Sequence, residues 1–212
     1  MSCVALVVVL AQGISQSSTA RAFPEEDAGS LAFGEKTVLV YENRTGEENY
    51  QFVLRLARFR PDIFLEWESY SHQGTIHLRK KAVSEAKKIT VGGLFEAGVD
   101  IDSKDVMTNW LSDQMFSQLI QDGGVTIWLN KHRIKMKLVG EETRELTVDK
   151  TRVDVPVVRI EDNQRGTWIV HKAKGNPVLI EYQTPHYHMR LTRISTSKSN
   201  NLRWVRQLPP VK

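Results

Sequence analysis

Apolar residues recur at every second position along most of this chain, in short runs broken every eight to twelve residues, which is the pattern of stacked β-hairpins. Phe52, Leu54 and Leu56 share one parity, Ile63, Leu65 and Trp67 form the next run, and Ile76 and Leu78 a third. Val38 to Tyr41 supplies a strand ahead of them. Arg60-Pro61-Asp62 and Ser71-His72-Gln73-Gly74 lie between the runs and have the chemistry of chain reversal. The alternation returns in Val125, Ile127 and Leu129, passes through an Asn130-Lys131 turn, and is cleanest where Ile134, Met136 and Leu138 oppose Arg133, Lys135 and Lys137. Further strands are expected at 153–160, 167–171, 178–182 and 187–194, with turns at 162–166 and 174–177.

One stretch departs from this period. Val106, Met107, Trp110, Leu111, Met115, Phe116, Leu119 and Ile120 are spaced by three and four, between a candidate N-cap at Asp102 or Ser103 and a candidate C-cap glycine at Gly123. The spacing predicts one long helix over about 104–121, whose apolar stripe must lie against the sheet. The expected fold class is therefore α+β: a curved, mostly antiparallel sheet of about ten strands, a half-open barrel, packed on that helix.

The N-terminus sets a second expectation. An apolar run from Cys3 to Ala11 leads through Gln12, Gly13 and a Ser-rich stretch to Ala20-Arg21-Ala22, the form of an export signal cleaved near Ala22. The run is well short of the roughly 20 apolar residues of a membrane span. Cys3 is the single cysteine and would leave with the signal, so a chain beginning at Phe23 has no thiol. Residues 1–22 thus read as a signal peptide, 23–35 as a polar, flexible leader, 36–195 as a single β-rich domain, and 196–212 as a basic tail. The net charge of +4 is mild, but no carboxylate side chain follows Glu181, while Arg190, Arg193, Lys198, Arg203, Arg206 and Lys212 do. The expected location is periplasmic or secreted.

The order of parts adds a resemblance. An N-terminal meander is followed by the helix-like segment, a strand pair, Gly-Thr-Trp-Ile-Val at 166–170, Asn-Pro-Val-Leu-Ile at 176–180 and the closing Met-Arg-Leu-Thr-Arg-Ile at 189–194. Over 36–195 this resembles a loose group of exported bacterial domains related in shape to the lipoprotein-carrier open barrel. The resemblance implies a concave sheet with a helix across its mouth, a shape that holds acyl chains in the carriers. It lends no catalytic residues.

Motifs for chemistry are sparse. His186 and His188 stand two apart in an expected strand and would share a face, but no third ligand is tied to them by spacing, so a solvated face outweighs a metal site. Glu66 and Glu68 share a face likewise and read as a surface pair rather than an acid/base couple. No Gly-x-Ser-x-Gly elbow occurs, and Gly92-Gly93 lacks the lysine of a phosphate loop. No catalytic residue, metal or cofactor is therefore expected. The expected function is a non-enzymatic carrier or binding domain for an acyl chain or other apolar small molecule, held by Met107, Trp110, Leu111, Met115 and Phe116 under the helix. The alternative is a cell-envelope structural or protein-interaction module. In that reading Arg203, Trp204 and Arg206 of the tail meet an envelope protein or an anionic membrane surface. Nucleic acid is not an expected partner.

Overall fold

The computed structural model describes residues 31–196, apart from 71, 93–94 and 96–97. Two meanders make up most of the sheet. The first is β1 (Val38–Thr45), β2 (Glu48–Phe59), β3 (Ile63–Ser69) and β4 (His72–Leu78). The second is β8 (Gly124–Leu129), β9 (His132–Val148), β10 (Thr151–Asp162), β11 (Thr167–His171), β12 (Leu179–Gln183) and β13 (Tyr187–Ser195). Between them run α1 (Lys80–Glu85), β5 (Lys88–Ile89), β6 (Asp100–Ser103), β7 (Val106–Met107) and α2 (Asp113–Asp122).

Antiparallel pairing of β1 with β13, from Val38↔Ser195 to Thr45↔Tyr187, joins the meanders into one mixed sheet. Its order is β6-β4-β3-β2-β1-β13-β12-β11-β10-β9-β8-β5-β7. The two outermost strands, β6 and β7, are consecutive in the chain, with only Lys104 and Asp105 between them. So short a link reaches at most about 11 Å. The two ends of the sheet must therefore come together, and the sheet encloses its own interior.

The period-two runs are the walls of that interior. Phe52, Leu54, Leu56, Ile63, Leu65, Trp67, Ile76, Leu78, Ile134 and Met136 are buried, while Arg133, Lys135 and Lys137 are exposed. Asn130 and Lys131 have φ of 48° and 72°, and Asp149 and Lys150 have 48° and 71°. Two successive positive φ values give the two-residue turn whose twist suits a hairpin, here between β8 and β9 and between β9 and β10.

The expected α+β arrangement with one long helix is corrected. The protein is mostly strand, with thirteen strands in one sheet and two short helices among the described residues. The segment expected to be helical over 104–121 begins as strand and loop, and only Asp113–Asp122 is helix. The reason is competition for backbone groups. Met107 O accepts from Thr90 N at 2.9 Å, Asn109 O from Leu179 N at 2.8 Å, and Leu111 N donates to Pro177 O at 3.1 Å. Asn109, at φ 55°, also lies outside helical geometry. The N-cap is Ser112, whose Oγ accepts from Met115 N at 3.1 Å, not Asp102 or Ser103. Ser103 Oγ instead closes a turn on Val106 N at 3.1 Å. The expected C-cap stands, with Gly123 at φ 73°.

The expected leader, 23–35, falls partly outside the described residues. Within them Leu31 is buried and Phe33 packs edge-on to Phe59 and Trp110, with centroids 5.6 and 6.4 Å away.

Candidate ligand-binding cleft

Where β1, β2, β3 and β13 approach their ends near Tyr50, Ser69 and Tyr187, the interior opens into a cleft of about 410 Å³. Strand register builds its floor. Asn43 pairs with Tyr50 on one side and Met189 on the other, and Phe52 pairs with Ser69. Side chains in register stand beside one another on the same face of a sheet, so these residues come together. Phe52, Trp67 and Phe95 form an aromatic triad with centroid separations of 6.1, 4.2 and 5.6 Å. Tyr50 and Tyr70 lie 5.6 Å apart at the rim, with Tyr70 64% exposed. Gly92 and His72 complete the lining with Tyr187.

One glycine makes room for the triad. Gly74 of β4 pairs directly with Trp67, and a Cβ at Gly74 would lie 2.7 Å from the Trp67 Nε1. The indole edge therefore rests on bare backbone. Its N–H is buried and has no acceptor among the described residues, a state that costs about 1–3 kcal/mol in a closed interior.

The described lining residues carry no carboxylate, ammonium or guanidinium group. Tyr187 donates to Asn43 Oδ1 at 3.4 Å, and Tyr70 to Asn49 O at 3.3 Å. Burial pushes the Tyr187 phenol well above its ordinary range, with Tyr50 adding to the rise, and burial raises Tyr50 too. Both phenols therefore stay protonated at neutral pH. The cleft offers ring faces, phenol, hydroxyl and amide groups and the His72 imidazole, which suits a ligand with an apolar body and few polar atoms.

The residues singled out in the sequence lie elsewhere. Met107, Trp110, Leu111, Met115 and Phe116 sit in the packed interior around α2, each at most 2% exposed, and none lines the cleft. Trp110 Nε1 donates to Asn176 Oδ1 at 2.9 Å, and Asn176 Nδ2 to Leu31 O at 3.1 Å. His171 Nδ1 donates to Asn176 O at 2.8 Å, and burial lowers the histidine's pKa, so the ring is neutral. Arg203, Trp204 and Arg206 lie outside the described residues.

Glu66 and Glu68 lie on the outward face of β3, where Glu68 pairs with Arg55 at 2.9 Å. His186 is in the bend before β13, not in a strand beside His188, and His188 meets Glu181 at 2.8 Å. No group of three His, Cys, Asp or Glu side chains placed to hold a metal occurs among the described residues.

Sequence reasoning passed over Tyr50, Tyr70, Phe95 and Tyr187, and took Phe52 and Trp67 as wall residues. The available signal was aromatic residues at strand ends, Tyr50 and Tyr70, flanking an inward-facing Trp67 whose partner strand carries a glycine. No protein family, curated protein or solved structure matches the chain.

Proposed function

We propose that this protein is a non-enzymatic, exported binding domain that holds an apolar, uncharged small molecule in the cleft lined by Tyr50, Phe52, Trp67, Tyr70, Phe95 and Tyr187. The observation that carries the reading is an aromatic-walled cleft of about 410 Å³ that the side chains of the described residues leave unfilled. Its volume lies within the usual range of small-molecule sites, about 300–1,000 Å³. The buried Trp67 N–H without an acceptor adds to this, because a ligand oxygen beside the indole edge would relieve it. The ligand class expected from the sequence, an acyl chain or another apolar body, is kept, and so is the likeness to the lipoprotein-carrier open barrel. The place is moved from beneath the helix to the aromatic end of the sheet.

The test is a titration with the neutral apolar probe 1-N-phenylnaphthylamine, paired with native mass spectrometry and lipid extraction of protein purified from its own host. Saturable probe binding, weakened about tenfold by Tyr50→Ala combined with Tyr70→Ala, is the expected result, because two ring contacts are lost. Absence of saturable binding together with absence of copurified apolar material would remove the proposal.

A further inference from the structure

The outward face of the β8–β9 hairpin combines charge with exposed apolar surface. Register places Trp128 beside Arg133, Thr126 beside Lys135 and Gly124 beside Lys137. Trp128 is 47% exposed, and Val139, two residues beyond Lys137 at the bulge of β9, is 50% exposed. The opposite faces of these strands carry Ile127, Leu129, Ile134 and Met136 into the core, so the polar face cannot turn inward. At a rise of about 3.4 Å per residue, the three cations of β9 form a row about 14 Å long.

That row is not neutralised from within. Two carboxylates of this region pair elsewhere: Asp105 with Lys88 at 2.5 Å, and Glu161, which stands opposite Lys137, with Arg159 at 3.4 Å. Among the described residues, no ion pair joins Arg133, Lys135, Lys137 or the turn residue Lys131 to a carboxylate.

We infer that this face is a docking surface for an anionic lipid bilayer. Charge complementarity supplies the attraction, and each cation near an anionic surface strengthens it about fivefold. The flanking Trp128 and Val139 choose a bilayer over a soluble polyanion. An indole belongs at the headgroup level of a membrane, with its ring toward the acyl region and its N–H toward water. A soluble acidic chain would need the cations alone. This surface does not rest on the ligand reading of the cleft, and no cleft residue contributes to it.

Co-sedimentation of the full chain with vesicles tests it, comparing pure phosphatidylcholine with phosphatidylcholine containing about 30% phosphatidylglycerol. Binding to the anionic vesicles alone is expected, weakening as salt rises. Lys135→Gln with Lys137→Gln should weaken it about 10- to 30-fold, and Trp128→Ala about 3- to 10-fold with the salt dependence retained. The lysines are exposed, so the thermal midpoint of the double variant should not move; Arg133→Gln serves if the double variant does not fold. Equal binding by wild type and variants, no binding at all, or equal binding to pure phosphatidylcholine overturns the inference. Sensitivity to the lysines with indifference at Trp128 also overturns it, since the face would then read charge alone.

Discussion

Trp110, packed near α2, is fully enclosed, and its N–H reaches Asn176, which in turn holds Leu31 and receives His171. Trp67, in the cleft, is nearly as buried at 3% exposure, yet among the described residues its N–H has no acceptor and its ring borders the cleft. Both are inward-facing indoles in one continuous core. What separates a core tryptophan from a candidate site tryptophan here is not residue type or depth but whether surrounding polar atoms and side chains close around it. Met107, Trp110, Leu111, Met115 and Phe116 are closed over in this way, and none of them borders the cleft. A rich apolar stripe is the normal means of filling an interior, and space is left where the sheet ends and the rim is aromatic.

Removal of Trp110 should have the largest effect. Trp110→Ala leaves a cavity and strips Asn176 of a donor, so unfolding in denaturant should show a loss of about 3–5 kcal/mol. A loss below about 1 kcal/mol would mean that this interior is not the closed one. Gly74→Ala acts at the cleft. Its Cβ would meet the Trp67 indole at 2.7 Å, so the ring must shift, with an expected cost of about 1–3 kcal/mol. The same variant should weaken binding of the neutral probe, and unchanged probe affinity would detach Trp67 from the site.

Dependence on pH separates the two regions by sign. His171 has a lowered pKa in the folded protein, so the unfolded chain takes up the proton more readily. Its contribution to stability is complete above the ordinary histidine value of 6.5 and is lost as pH falls below it. His171→Gln should flatten the acid side of a stability profile measured by denaturant midpoint. Burial raises the phenols of Tyr187 and Tyr182, the latter to about 12, so their contribution is complete below the ordinary tyrosine value of 10.0 and is lost as pH rises beyond it. Tyr187→Phe should soften the alkaline side and leave the acid side alone. The smallest effect on stability belongs to Tyr70→Ser. The side chain is 64% exposed, so a change within about 0.5 kcal/mol is expected. A large destabilisation would show that the rim is part of the core rather than an opening.

Much of the fold was legible because alternation records burial directly. The runs at Phe52–Leu56, Ile63–Trp67 and Ile134–Leu138 lie in strands, and Asn130-Lys131 is a hairpin turn because both residues tolerate positive φ in a short reversal. The helix was misread over Val106 to Leu111 because side-chain spacing says nothing of where backbone N–H and C=O groups find partners. Those partners, Thr90, Pro177 and Leu179, are distant in sequence. The short strands β5, β6 and β7 escaped notice because two to four residues carry too little periodicity to register. Asn43, Tyr50 and Met189 reach one cleft through the β1–β13 closure, a pairing that no local pattern announces.

Side-chain order along the chain is enough to show which residues face inward along each strand, where most hairpins turn, and that Gly123 ends a helix. These are local matters of side-chain period and backbone tolerance. The tertiary structure alone decided that the meanders join through β1 and β13, that the segment before Ser112 gives its hydrogen bonds to distant strands, and that open space lies beside Trp67 rather than Trp110. Each depends on which far-apart backbone groups and rings meet in space, and the energy of those meetings outweighs the local helical preference.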